Sequence, residues 1–427
     1  MKSHGPRLVA TFGAILGAVL LTVSWCVPPS VAEVVLVPSG PPQEADQEPQ
    51  PTPQLTDAIN GFGFDLLRVV AAEDGARGNA IVSPVSVHAA FSMTANGATD
   101  ETETQMREAL HTASMDAADT NRQWADLLAG LAGRSSEQTL DVANALWARQ
   151  GIAFRAPFLN AARDFFGAQV STLDFERDDA AGAVNGWVSE KTHGRIDRIL
   201  GQVPPNAILY LTNAAYFYGE WLTPFKDAAT GRQAFTRADG STVDVEMMNA
   251  SRPMPYAQNG ALQATVLPYA GDDAAFYVLL PKLGETVDSA IASLGETGFS
   301  RLVRSMRSAE VDLGLPKLDA DFAVELSGPL ESLGMSRAFD GEQAQFSGMA
   351  SLGVPISINR VIHRTRVKVD EKGTEAAAAT VAEIGVTASR DAPPRIRIIC
   401  DRPYVFAVVD VKSGAMLFLG AVNDPRK

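Results

Sequence analysis

The side chains able to do chemistry on their own are few. Five histidines (His4, His88, His111, His193 and His363) and two cysteines (Cys26 and Cys400) are scattered along 427 residues. No two of them stand at the spacing that would place them around one metal ion. There is no HExxH helix, no GxSxG elbow and no glycine loop for a phosphate. Carboxylates are plentiful, so their spacing singles out no acid–base dyad. A triad assembled from distant positions is the one enzymatic route left open. These residues give no reason to expect catalysis, a metal or a cofactor.

One segment offers chemistry of another kind. Residues 371–384 read EKGTEAAAATVAEI. Alanine content alone favours a surface helix. Against it stand Gly373, a flexible pivot, and the β-branched Thr374, Thr380 and Val381. As a strand, the segment places Thr374, Ala376, Ala378, Thr380, Ala382 and Ile384 on one small, uncharged face. Glu375 and Glu383 fall on the opposite face. Such a strand can slide between existing strands without burying an unpaired carboxylate, which would cost several kcal/mol.

Elements of both kinds must hold that segment. Ile59, Phe62, Leu66, Val69 and Val70 form one helical stripe between Thr56 and Ala72. Ser83-Pro84 opens a second helix, and Asp100 to Leu110 reads as a third with an acidic start. Later texture is β-rich, in the runs beginning at Ala207, Ala274 and Tyr404. Helices first and strands later predict an α+β chain.

The N-terminus reads as an address. Lys2 and Arg7 precede an apolar run from Leu8 to Val27, and Ser30-Val31-Ala32 suits cleavage after Ala32. Secretion is the expectation, with an uncleaved anchor or a lipid on Cys26 as weaker alternatives. Residues 33–54 are a Pro/Glu-rich tether with little to bury, and residues 55–427 are one domain. Loss of residues 1–32 would remove Cys26, leaving Cys400 unpaired beside the apolar run Ile396–Ile399, where a packed small side chain is expected. Formal net charge is −14, with 46% hydrophobic and 20% charged residues. That balance suits a soluble globular protein and excludes a nucleic-acid partner, which needs a basic face. Asp100 to Ala129 holds only Arg107 and Arg122 as basic residues. Asn249-Ala-Ser is a glycosylation sequon.

Eight stretches, in order, now carry a resemblance. Glu371-Lys-Gly-Thr-Glu-Ala-Ala-Ala-Ala-Thr resembles the proximal hinge of inhibitory serpins. Asn79-Ala-Ile-Val-Ser-Pro-Val-Ser, Asn185-Gly-Trp-Val through Thr192-His-Gly-Arg-Ile and Asn213-Ala-Ala-Tyr-Phe-Tyr-Gly-Glu-Trp-Leu-Thr-Pro-Phe resemble serpin signatures. So do Leu333-Gly-Met with Ala338-Phe, Phe346-Ser-Gly, Ile362-His363, and Asp401-Arg-Pro-Tyr-Val-Phe with Phe418-Leu-Gly.

The resemblance implies three β-sheets, about nine helices and an exposed reactive-centre loop over residues 371–395. It implies a monomeric inhibitor of serine proteases, not an enzyme. A protease attacks the loop, and the cleaved loop enters the main sheet and traps the acyl-enzyme. Counting from Glu371 places the reactive bond at Thr387-Ala388, suited to elastase-like or subtilisin-like proteases, with Arg390 as the rival. The distal part of this loop, Ser389-Arg-Asp-Ala-Pro-Pro-Arg, is longer than in short family members. Hinge residues are Glu371, Gly373, Thr374, Ala376, Ala378 and Thr380; shutter residues are Ser83, Ser86, Asn213 and His363; Trp221 stands at the breach. The alternative is a non-inhibitory carrier, chaperone or storage member, which would show bulky, charged or proline residues on the inserting face. A secreted hydrolase is the remaining alternative.

Overall fold

A computed structural model describes residues 53–73, 78–132, 138–177, 179–203, 209–350, 356–374 and 395–427. The first apolar stripe is helix α1 (Pro53–Glu73), which buries Ile59, Phe62, Leu66 and Val70. Pro84 starts α2 (Pro84–Ala95), a helix buried on all sides from Pro84 to Thr94, as a helix through a core must be. In α3 (Asp100–Ala109), Asp100, Glu101 and Glu103 sit at the positive end of the helix. There follow α4 (Ala117–Ala132), α5 (Ala156–Phe166), α6 (Ala180–Lys191), α7 (Val287–Ala292) and α8 (Gly295–Ser305).

The strands are β1 (Ala80–Val82), β2 (Gln138–Arg149), β3 (Gln169–Leu173), β4 (Leu209–Glu220), β5 (Gly231–Thr236), β6 (Thr242–Gln258), β7 (Leu262–Pro268) and β8 (Ala274–Pro281). After α8 come β9 (Arg307–Pro316), β10 (Leu318–Glu325), β11 (Arg360–Val369), β12 (Gly373–Thr374), β13 (Ile396–Ile399), β14 (Tyr404–Asp410) and β15 (Met416–Val422). The described strands join into two hydrogen-bonded sheets. One runs β1-β15-β14-β8-β7-β6-β9-β13, with β5 also on β6. Seventeen-residue β6 serves two parts of it, pairing β5 and β9 along most of its length and β7 at its end. Two of the three sheets implied by the resemblance are thus continuous through one long strand. Every residue of β14 and β15 is buried, the pattern of strands covered on both faces.

The second sheet runs β10-β11-β12-β4-β2-β3. Its centre is unusual. Strands β4 and β11 lie parallel from the Arg360–Tyr210 pair to the Arg366–Tyr216 pair, while β2 on one side and β10 on the other are antiparallel to them. Beyond that stretch the two-residue strand β12 stands between them, antiparallel to both.

A smaller core lies over this sheet beneath α6, built from Trp147, Phe175, Val184, Val188, Ile196, Tyr210 and Ala214. Asn185 folds the segment after α6 back onto the helix. Its Oδ1 accepts from the backbone N–H groups of Ile199 and Leu200 at 2.8 and 2.9 Å, and its Nδ2 donates to the Leu200 carbonyl at 2.8 Å. Asn185→Ala leaves two amides without their acceptor, a loss of about 1–3 kcal/mol. Denaturant unfolding checks this: a midpoint unchanged from the parent would show that water replaces the amide at no cost.

Candidate functional site

The parallel seam between β4 and β11 is held from below by a buried polar cluster. His363 of β11 and Asn213 of β4 are register partners, and both are buried. His363 Nε2 accepts the Ser83 backbone N–H at 3.0 Å, so its proton sits on Nδ1, which donates to Asn213 Oδ1 at 2.6 Å. Asn213 Nδ2 in turn donates to Ser86 Oγ and to Asn144 Oδ1. Ser83 Oγ donates to the Leu417 carbonyl at 2.7 Å, and Thr365 Oγ1 to the Ile81 carbonyl at 3.1 Å. Ser83 precedes α2 and Ser86 lies in its first turn, so the buried helix presents both serines to the sheet. Burial pushes the His363 imidazole down to about 3, so the ring is neutral at physiological pH. All four shutter residues named from the resemblance therefore meet in one network.

Beyond the Arg366–Tyr216 end of the seam, the start of the segment named as a hinge is strand β12. Gly373 pairs with Glu220 and Thr374 with Gly219 on β4, while Thr374 also pairs with Val369 on β11. Thr374 is fully buried, and its hydroxyl shares a 2.6 Å hydrogen bond with the Tyr269 hydroxyl. Trp221 stacks on Tyr269 with ring centroids 4.6 Å apart. Its indole N–H donates to the Asp370 carbonyl and its backbone N–H to the Lys372 carbonyl. The Phe225 backbone N–H donates to the Glu371 carbonyl. Glu371 is nearly buried and pairs with Lys317 at 2.7 Å. Burial would raise its carboxyl, but the hydrogen bond from Lys317 leads the contacts that hold it below the ordinary range.

Gly373 plays a different part from the pivot its residue type suggested. A Cβ there would lie 2.2 Å from the Gly219 carbonyl oxygen and 2.7 Å from the Glu220 Cα. Only glycine lets the hinge approach the β4 backbone this closely.

A strap straddles the seam as well. Arg195 lies 5.7 Å from the centre of the Tyr216 ring on β4, while Arg364 of β11 donates to the Arg198 carbonyl and grips Asp321 at 2.8 and 2.6 Å.

Ala376, Ala378, Thr380, Thr387, Ala388 and Arg390 lie outside the described residues, as do Cys26 and residues 1–52. Sequence reasoning missed Asn144, Tyr269 and Lys317. Asn144 in the middle of β2 and Tyr269 just past the end of β7 look like ordinary strand residues, and nothing in their local pattern signals a partner 69 or 105 residues away. Cys400 is fully buried, and burial pushes its thiol well above its ordinary value, so it packs rather than reacts. Among the described residues no cluster of potential ligands is arranged for a metal. Asn249 spends its amide on the Ala229 and Met247 carbonyls.

The model of the family described as "Serpin (serine protease inhibitor)" matches residues 57–425. A serpin-like protein of Thermococcus kodakarensis is 33% identical over 379 residues, covering 87% of this chain and 86% of its own. The leukocyte elastase inhibitor of Sus scrofa is 31% identical over 384 residues, covering 87% and 100%. Among solved structures, the native thermophilic serpin Tengpin aligns with a TM-score of 0.80 at 28% identity, covering 90% of this chain and 96% of its own. Human thyroxine-binding globulin aligns at 0.78 and 26% identity, covering 87% and 99%.

Two expectations follow from the geometry. His363 and His88, the latter held down to about 4 by burial, stay neutral in the fold while the unfolded chain binds protons below about 6.5. Stability is therefore complete above that value and falls as pH drops from 6.5 toward 4, the slope approaching about 2.7 kcal/mol per pH unit for two such groups. In urea titrations between pH 7 and 5.5, His88→Leu should halve this slope; an unaltered slope would assign the acid sensitivity elsewhere. Gly373→Ala should unseat the hinge, raising hydrogen exchange at the Trp221 and Phe225 amides at least about tenfold. Full protection of both amides in the variant would show that the seat tolerates a side chain.

Proposed function

The chain belongs to the serpin family, whose members generally inhibit serine proteases, and we propose on that premise that it is itself an inhibitor working by loop insertion. The observation that carries this reading is the seated hinge. Gly373 and Thr374 already run antiparallel to both β4 and β11. Continuing the β4 register carries residues 373–384 along Glu220 to Leu209, the whole of β4. That is the segment whose one face is small and uncharged. Thr374 points into the core, so Ala376, Ala378, Thr380, Ala382 and Ile384 follow it inward and Glu375 and Glu383 face out.

Both registers place Thr380 opposite the same two residues, Asn213 on β4 and His363 on β11. Insertion must break the hydrogen bond between them. A threonine hydroxyl, donor and acceptor at once, replaces it for both. The inserted strand also gives every backbone group of β4 and β11 an antiparallel partner along the seam, and this gain drives the change.

The reaction that triggers insertion belongs to the protease. Its catalytic serine attacks the Thr387 carbonyl, the bond to the Ala388 nitrogen breaks, and the released amine takes the proton from the protease's base. Sixteen residues from Glu371, at roughly 3.3 Å each, then carry the acyl-enzyme on the order of 50 Å. Thr387 between Val386 and Ala388 suits elastase-like or subtilisin-like pockets, and likeness to a leukocyte elastase inhibitor supports that choice. Cleavage at Arg390 would instead mark a trypsin-like target. We further propose that residues 1–32 direct secretion, that residues 33–54 tether a monomeric domain, and that no heparin-type cofactor acts through residues 100–129.

Likeness to thyroxine-binding globulin supports a second reading, a carrier. A gel separates the two. Incubation with elastase, subtilisin, chymotrypsin and trypsin should give a complex stable to denaturant with one of the first two, together with a released peptide beginning at Ala388. Thr374→Arg, a charge forced onto the buried face, should abolish the complex while cleavage continues. Cleavage without complex in the parent chain would favour the carrier.

A further inference from the structure

In a chain of net charge −14, helix α8 carries two arginines against one glutamate, Glu296. On α8, Arg301 and Arg304 stand three residues apart on the exposed face, and Arg307 follows as the first residue of β9. Arg307 curls back to donate to the Arg304 and Met306 carbonyls at the end of the helix. Among the described residues no carboxylate lies within ion-pair distance of any of the three, whereas several other exposed arginines of the domain have one, as Arg122, Arg177, Arg232 and Arg395 do.

The helix beside them is α1, and the contact is specific. The Phe299 ring packs against Phe64 at 6.0 Å, and Ser300 Oγ donates to Asp57 Oδ1 at 3.4 Å. Ser300 is the neighbour of Arg301. Asp57 lies just one turn inside the start of α1, so the chain that enters α1 does so next to the arginine row.

That entering chain is acidic. Glu33, Glu44, Asp46 and Glu48 stand in residues 33–52 with no lysine or arginine among them. From Pro53, where α1 begins, back to Glu44 the chain reaches at most on the order of 30 Å, enough to lie along α8. We propose that Arg301, Arg304 and Arg307 are a docking surface for the chain's own segment Glu44-Ala-Asp-Gln-Glu48. Each such ion pair alone is weak at an exposed site. A segment joined to its site by so few residues, however, presents itself at a millimolar effective concentration, and several weak pairs then suffice. Docking would give the tether a defined exit along α8 instead of an undirected one. This inference is independent of whether the domain inhibits a protease.

Spin labels test it. The full chain with Cys26→Ser keeps only the buried Cys400, so cysteines introduced by Ala45→Cys and Thr297→Cys can be labelled alone. At about 20 mM salt the distances between them should be short and narrowly distributed. They should broaden at about 1 M salt, where the Debye length is about 3 Å. Arg301→Glu with Arg304→Glu should broaden them at low salt too. So should Glu44→Gln, Asp46→Asn and Glu48→Gln together, changes that leave α8 itself unaltered. A broad distribution in the parent at low salt, or a narrow one that survives either set of substitutions, would overturn the proposal.

Discussion

The structure depends on a parallel pair of strands at the centre of an otherwise largely antiparallel sheet. Two parallel strands with no helix crossing between them in the sheet are an opening for a third strand running the other way. Here β4 and β11 hold each other along seven register pairs, from Tyr210 and Arg360 to Tyr216 and Arg366. Parallel pairing is slightly weaker per residue than antiparallel pairing, so this seam is a weaker join than the antiparallel pairings of β2 and β10 on either side of it.

The contacts that hold that seam sit at its middle and beyond one end of it. His363 and Asn213 face each other across it and are locked to α2 through Ser83 and Ser86, so opening the sheet disturbs a buried, fully partnered network. Beyond its Arg366–Tyr216 end, Trp221, Tyr269 and Lys317 grip the main chain and side chains of residues 370–374. Over the face, Arg195 and the Arg198 carbonyl hold the strap to β4 and β11 separately. A widening of one strand spacing, about 4.8 Å, cannot leave both of those contacts intact.

Glycine shows how closely sequence and backbone are matched here. Gly373 and Gly219 allow two main chains and the Tyr269 ring to share one small volume, and Gly420 leaves room for the Phe406 ring. These positions need no unusual backbone angle. They need the absence of a Cβ, a requirement set by a neighbouring segment far away in the chain.

Local patterns were sufficient for much of the molecule. The helical stripe before Ala72, the Ser83-Pro84 start of α2, the apolar runs of β8 and β14 and the uncharged face of residues 374–384 are all properties of side-chain periodicity, which a sequence carries in full. The residues of the buried polar cluster and of β12 were singled out through a family pattern, and the continuity of β6 through two sheet segments was not legible. Nor were Asn144, Tyr269 and Lys317, or the true reason for Gly373. Each depends on which segment arrives opposite, and that is decided by the packing of strands distant in sequence. Periodicity says which face of an element is buried; only the tertiary structure says what it is buried against.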